Sequence, residues 1–407
     1  MSTVEPVFQS TDVKDFVAAL HEWPHSITEN DHFALAVAPF TTLYFYYEPK
    51  KYLEASLLLV DLHEEYEQLI GKPYVVATHP DSERPHPYGS KRLPDLRAFA
   101  PKKPLNKNFL FSFSDEENSL SSPNRAAHFW RASTWDGVKN NHYSYVQLHH
   151  SWTWWQEHRE PWREFILSAA DRLGADQVYS GFAMSNPLDF GARSEVATWE
   201  RALAPHFYGL DIDFPFSMAR SLQDGIRPPT WGFLLSNRWR DRLGLSREQV
   251  QAALADPQIH IVERDCGQWI ELGDKPSLLP VEEGLPRLQM KLNRLLRPIR
   301  AKELGLVGFG QWDGDPNERF GLVDSQRWMA RFDDDGDWPS ADVRVQGPSA
   351  VAFPKPASIT AGQPCSRTGY WFTPARENSR AHFEAGQTMP DVGGTWGATI
   401  WQWDEQQ

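Results

Sequence analysis

Cysteine is almost missing from this chain: Cys266 and Cys365 are the only two in 407 residues. Two thiols so far apart build neither a disulfide framework nor metal-ligand spacing, and such usage suits a reducing compartment. Long apolar runs are missing as well. The best is Ala34–Phe40, far short of the roughly 20 residues that span a bilayer. The opening MSTVEPVFQS lacks the basic and apolar regions of a secretory signal, so the chain is expected to remain in the cytoplasm. Positive charge is in deficit: 41 Lys and Arg stand against 54 Asp and Glu, a formal net charge of -13. Phosphate-binding surfaces need clustered Lys and Arg, so nucleic acid and anionic membranes are disfavoured as direct partners. A basic protein is the partner that such a charge suits.

What is present in excess is aromatic side chain, 13% of residues with Trp alone occurring 18 times. Core packing is the ordinary use of such rings, and a sugar platform or a protein-binding face is the sharper one. The length suggests two or three domains.

Periodicity predicts an α+β fold of antiparallel sheets with packed amphipathic helices, followed by a small, mostly-β C-terminal module. Residues 33–40 and 43–47 read as a β-hairpin. A helix opens at Pro49, carries Leu53, Leu57, Val60, Tyr66 and Leu69 on one stripe, and stops at Gly71 and Pro73. Strand 74–77 follows. The Pro-, Lys- and Asp-rich stretch 78–104 reads as a loop or flap and as a break between two βαβ-type halves. The order repeats with alternating segments at 109–113, 143–148 and 152–154. A helix then opens at Pro161, Gly174 stops it, and strand 177–182 follows. Ser246 and Gln249 form a capping box for helix 247–255. Strands 259–262 and 268–272 flank a turn whose Gly267 is expected at positive φ. Helix 285–299 directs Leu288, Leu292, Leu295 and Leu296 inward. After residue 303 long helical periodicity gives way to Gly, Asp, Pro and Trp, which places a boundary between 1–303 and 304–407. Strand-like pieces there are 343–345, 370–373 and 398–403.

Catalytic motifs are approached but not completed. His63-Glu64 opens a zinc-protease motif, yet residue 67 is Glu rather than the second His. Gly308-Phe309-Gly310 lacks the third glycine of a dinucleotide loop. His149 and His150 are adjacent on a strand and face opposite ways, so they share no metal. Asp313, Asp315 and Asn317 begin like a calcium loop, but Glu318 takes the place of its glycine. No catalytic residue, metal site or cofactor is therefore assigned. Asp211 and Asp213 are two apart and would share a strand face, the arrangement a hydrolase of carbohydrate or phosphodiester could use. Asp333, Asp334, Asp335 and Asp337 surround Gly336 beside Trp338. They are solvated-turn residues in the plain reading and a partner-binding loop with Trp338 as anchor in the sharper one.

Several segments that yield no catalytic site resemble a family. These are His206-Phe207-Tyr208-Gly209-Leu210-Asp211-Ile212-Asp213, Gly225-Ile226, Pro229-Thr230-Trp231-Gly232-Phe233-Leu234-Leu235 and Arg242-Leu243-Gly244. With hairpin 259–272 and the helix ending Leu295-Leu296-Arg297-Pro298, they resemble the bacterial type VI immunity proteins. The tail, from Cys365-Ser366-Arg367-Thr368-Gly369-Tyr370-Trp371-Phe372 to Gly397-Ala398-Thr399-Ile400-Trp401-Gln402-Trp403, resembles a module of immunity proteins encoded beside interbacterial toxins. The resemblance implies a non-enzymatic protein that binds and neutralises one cognate secreted toxin of a type VI secretion system, protecting the producer and its kin. A cytoplasmic inhibitor that is acidic favours a basic nuclease as that toxin. A hydrolase acting through Asp211 and Asp213, and an adaptor that binds an effector without inhibiting it, are the alternative readings.

Overall fold

The computed structural model describes residues 10–29, 34–136, 142–189, 193–304, 319–339, 358–365, 368–373, 375–376, 379–393 and 399–403. Contacts divide the chain into Met1–Arg344 and Val345–Gln407. Residues 319–339, which the texture of the sequence groups with the C-terminal module, bury Phe320, Trp328, Phe332 and Trp338 in a core of the first unit.

One twelve-stranded sheet organises the first unit. Its strands are β1 (Ser26–Glu29), β2 (Ala34–Phe45), β3 (Val76–Thr78), β4 (Pro85–Pro87), β5 (Phe109–Ser114) and β6 (Ala126–Arg131). They continue with β7 (Ser144–His149), β8 (Gln177–Met184), β9 (Leu210–Asp211), β10 (Gly232–Ser236), β11 (Ile259–Glu263) and β12 (Gly267–Leu272). The order is β11-β12-β10-β8-β2-β7-β6-β5-β3-β4, with β1 beside β2 and β9 beside β8. Every pairing is antiparallel except β8 with β9. Strands from both sides of residues 78–104 thus share one sheet.

Alternation along each strand feeds two cores, one per face, because successive side chains point opposite ways. Phe109, Phe111, Phe113, Val146, Leu148, Val178 and Leu234 face one side; Leu110, Tyr145, Tyr179, Phe233 and Leu235 face the other. The first face is covered by α1 (Ser10–Glu22), α2 (Tyr52–Leu69), α4 (Trp152–Glu157), α5 (Arg159–Leu173) and α6 (Arg193–Leu203); α3 (Leu96–Phe99) lies in the 78–104 stretch. The second is covered by α7 (Pro215–Ser221), α8 (Asn237–Leu243), α9 (Arg247–Ala253), α10 (Arg287–Leu296) and α11 (Leu322–Met329). The second unit forms its own antiparallel sheet from β13 (Ser358–Thr360), β14 (Gly369–Phe372), β15 (Ala381–Phe383) and β16 (Ile400–Trp403), in the order β13-β16-β14-β15. Ile359, Trp371, Phe383 and Trp401 make its core.

Three local expectations change. The proposed hairpin at 33–47 is one strand, β2, paired with β8 along most of its length. Pro39 interrupted the sequence pattern, but it lies between the last β1 pair at Val37 and the first β7 pair at Phe40. A residue without an N–H is tolerated at such a gap in the ladder. Residues 152–154 are helix, started by Ser151, whose hydroxyl accepts from the Trp154 N–H at 3.3 Å. Gly267 does not adopt positive φ; its requirement is close approach, since a Cβ there would lie 2.4 Å from the Leu235 carbonyl oxygen. The capping box at Ser246 and the left-handed stop at Gly174 are as expected. Residues 308–310, 313–318 and 343–345 lie outside the described residues.

Four imidazoles are sealed in this architecture. Burial lowers the pKa of His63 and His150 to about 3, that of His128 to about 4, and that of His149 well below the usual value. Each is neutral when folded and takes up a proton near pH 6.5 when unfolded, so stability is lost as pH falls from about 6.5 towards 4. Each imidazole adds at most about 1.4 kcal/mol per pH unit in that window. Melting temperature measured across pH 4–8 should drop steadily below pH 6.5, and His150→Phe should flatten the slope. An unchanged slope in that variant would rule out His150 as a contributor.

Candidate functional site

The two carboxylates singled out in the sequence do converge, but they converge on a guanidinium. Arg227 is wholly buried on the second face of the sheet. Its Nη2 donates to Asp211 Oδ2 and its Nη1 to Asp213 Oδ1, each at 2.6 Å. Asp211 Oδ1 accepts from the Ile212 N–H at 3.0 Å. Asp213 Oδ2 accepts from Thr42 Oγ1 at 2.5 Å and from Gln147 Nε2 at 2.6 Å. Every carboxylate oxygen of the pair is therefore engaged by the chain itself. A second buried guanidinium, Arg331, lies 3.9 Å from Asp211 and stacks on Trp328. Two carboxylates and two guanidiniums balance in charge, the condition under which ions persist away from water.

Local sequence explains the geometry. Gly209 lets its segment run against residues 277–279: its N–H donates to the Leu278 carbonyl at 2.7 Å, and a Cβ would sit 2.2 Å from the Ser277 oxygen. Leu210 then enters the first core, and Asp211 is delivered to Arg227 by the pairing of β9 with β8. Arg227 is held from behind by Tyr179, whose hydroxyl accepts from its backbone N–H at 2.9 Å and donates to Gln177 Oε1 at 2.5 Å. Gln177 in turn donates to the Tyr143 hydroxyl and the Leu222 carbonyl. Burial pushes the Asp211 carboxyl up to about 6 against the opposing pull of Arg227 and Arg331. Burial lowers Arg331 to about 9, whereas on Arg227 the two carboxylates outweigh burial and raise it.

The acidic loop is turned inward at Asp333 and Trp338 and exposed at Asp334, Asp335 and Asp337. Asp333 is buried and bidentate to Arg300 at 2.6 and 2.7 Å, with Asn293 donating at 2.7 Å. Asp334 pairs with Arg294, Asp335 with Arg297 and Asp337 with Arg327. Trp338 is 3% exposed, with its ring stacked on Phe320 at 5.7 Å. Asp333 and Trp338 fasten 319–339 to Asn293 of α10, to Arg300 and to the second core, while Asp334, Asp335 and Asp337 remain exposed in their ion pairs. His149 and His150 do face opposite ways, towards Ser185 and Tyr66 respectively. Among the described residues no cluster of three His, Cys, Asp or Glu could hold a metal, and no helix is long and apolar enough to cross a membrane.

Residues 59–332, more than half of the chain, match the family described as type VI immunity for VRR-NUC (TsiV). The chain belongs to this family. The matched span contains the Gly209–Asp213 segment, Arg227 and Arg331, while Thr42 on β2 lies before it. A solved structure, Pseudomonas aeruginosa T6SS protein PA0821, is similar with a TM-score of 0.69, over 80% of this chain and 91% of that one. At 17% identity that likeness is one of fold. No curated protein matches the chain significantly. For this TsiV member, the residue that sequence reasoning overlooked is Arg227. It sits between the recognised pairs Gly225-Ile226 and Pro229-Thr230, and an arginine inside an otherwise apolar buried run is the signal that could have found it.

If the cluster is a structural clamp, removing its cation strands two buried carboxylates. Arg227→Met should destabilise the protein by about 3–5 kcal/mol in urea unfolding. Asp211→Asn combined with Asp213→Asn should also unfold earlier. A double variant that kept wild-type stability while losing a hydrolytic activity would restore the enzyme reading.

Proposed function

We propose that this TsiV protein acts by binding: it holds the nuclease effector against which its family gives immunity and blocks it inside the producing cell. The observation that carries the proposal is the family match, which spans Asp211, Asp213 and Arg227, together with a clamp whose carboxylates are fully occupied and offer nothing to a substrate. Occlusion requires only a complementary surface, commonly about 800 Å² per partner. A nuclease must present a basic face to its polyanionic substrate. A chain of net charge -13 is complementary to such a face and competes with nucleic acid for it. The cytoplasm, where nucleic acid is found, is the place for that encounter.

Co-expression with the cognate effector should restore growth of a susceptible host, and the two proteins should co-purify; growth arrest despite co-expression would refute the immunity role. The association rate should fall by about tenfold or more between low and high salt, because long-range attraction is screened. A rate indifferent to ionic strength would leave binding intact and remove its electrostatic basis.

A further inference from the structure

The stretch 78–104, which the sequence marks as a flap, is folded back over α2. Arg97 Nη2 donates to Asp61 Oδ1 and Glu64 Oε2, both at 2.7 Å. Lys103 Nζ closes the base through the Pro80 carbonyl at 2.9 Å and Asp81 at 2.6 Å. Between flap and helix remains a cavity of about 450 Å³. Its lining is uneven in chemistry. Val60, Leu93 and Leu96 are aliphatic, Phe113 and Tyr88 aromatic, and Glu64 and Glu67 are carboxylates.

Glu67 is the informative group. It is 8% exposed, its Oε1 accepts from the Tyr88 hydroxyl, and no basic side chain among the described residues pairs with it. A buried carboxylate without a cation is costly, and one neutral hydroxyl compensates only part of the lost hydration. His63, one turn earlier, also lines the cavity; it is 4% exposed and its Nδ1 has no partner. Burial keeps this imidazole uncharged at neutral pH, so it adds no repulsion towards a cation. Its ring lies flat on Phe113 at 3.9 Å.

We propose that this cavity is the docking pocket for a lysine or arginine side chain of the toxin. The aliphatic wall covers the methylene stem, the half-exposed Tyr88 ring flanks the charged head, and Glu67 neutralises it. A basic side chain fits this combination better than an acidic or purely apolar one, since only a cation satisfies Glu67. The proposal rests on the immunity reading for its partner, because a nucleic-acid-cutting toxin carries such side chains on its substrate face.

Two measurements on the full chain separate the pocket from the partner. Argininamide alone, titrated calorimetrically, should bind the wild type and bind Glu67→Gln about tenfold more weakly or not at all. Binding of the cognate toxin should weaken by about tenfold or more in Glu67→Gln, and also in Ser90→Arg, which places a competing cation at the cavity wall. Melting temperatures of both variants confirm that they are folded. No uptake of argininamide by the wild type, or equal uptake by Glu67→Gln, overturns the assignment of the pocket. Toxin affinity unchanged in both variants overturns its docking role while leaving immunity intact. A wild type that binds no nuclease toxin overturns the immunity reading, and the argininamide titration still decides the cavity.

Discussion

Arg227 is the interaction on which the molecule depends. One guanidinium joins Asp211 at the end of β9 to Asp213 two residues on, and through Asp213 it reaches Thr42 on β2 and Gln147 on β7. Its backbone reaches Tyr179 on β8. Four strands that are distant in sequence are therefore referred to a single buried charge. Hydrophobic burial alone would tolerate a strand sliding by two residues, because the same face would stay covered. A charge cluster does not tolerate it, since any slip leaves an ion unpaired in low dielectric. The clamp thus accounts for register better than for raw stability, which an apolar replacement of the whole cluster could match.

The same device recurs around the sheet. Glu271 on β12, 1% exposed, is shared by Arg159 and Arg163 of α5 and by the Trp269 indole. Asp176, before β8, takes Arg238, the Trp239 indole and the Tyr143 hydroxyl. Arg193 and Glu200 pair within α6. A sheet of this width covered on both faces needs its helices placed as well as packed, and arginine forks supply direction where aliphatic contacts do not. The aromatic surplus serves the packing. Trp152, Trp155, Trp162 and Trp231 form one connected cluster on the first face, with neighbouring ring centroids 5.1–5.9 Å apart. Such rings add about 0.5–1.5 kcal/mol per pair beyond their buried area.

For an immunity protein this division of labour is physically sensible. Buried charges inside hold the sheet in place, and the chain as a whole carries a net charge of -13. Under the flap over α2 the buried carboxylate of Glu67 is paired with no basic side chain among the described residues, and it lies within the region matched by the family.

The amino-acid sequence by itself determined the α+β class, the helix starts and stops at Pro, Ser and Gly, and the hairpin 259–272. It did so because capping, φ restriction and periodicity act over a few residues. The family was legible too, through strings such as Gly209-Leu210-Asp211, although the reason for the glycine was not. Only the tertiary structure decided that β2 is a single strand, since Pro39 is acceptable only where two neighbouring strands leave a gap. It alone turned Asp211 and Asp213 from a candidate catalytic pair into ligands of Arg227, sixteen and fourteen residues away. It also buried Trp338 and paired Asp333 with Arg300, while the neighbouring Asp334, Asp335 and Asp337 stay exposed. Pairing of buried charge is a long-range condition, satisfied by groups that the local pattern of neither partner reveals. In the same way, only the fold shows that no basic side chain among the described residues pairs with Glu67.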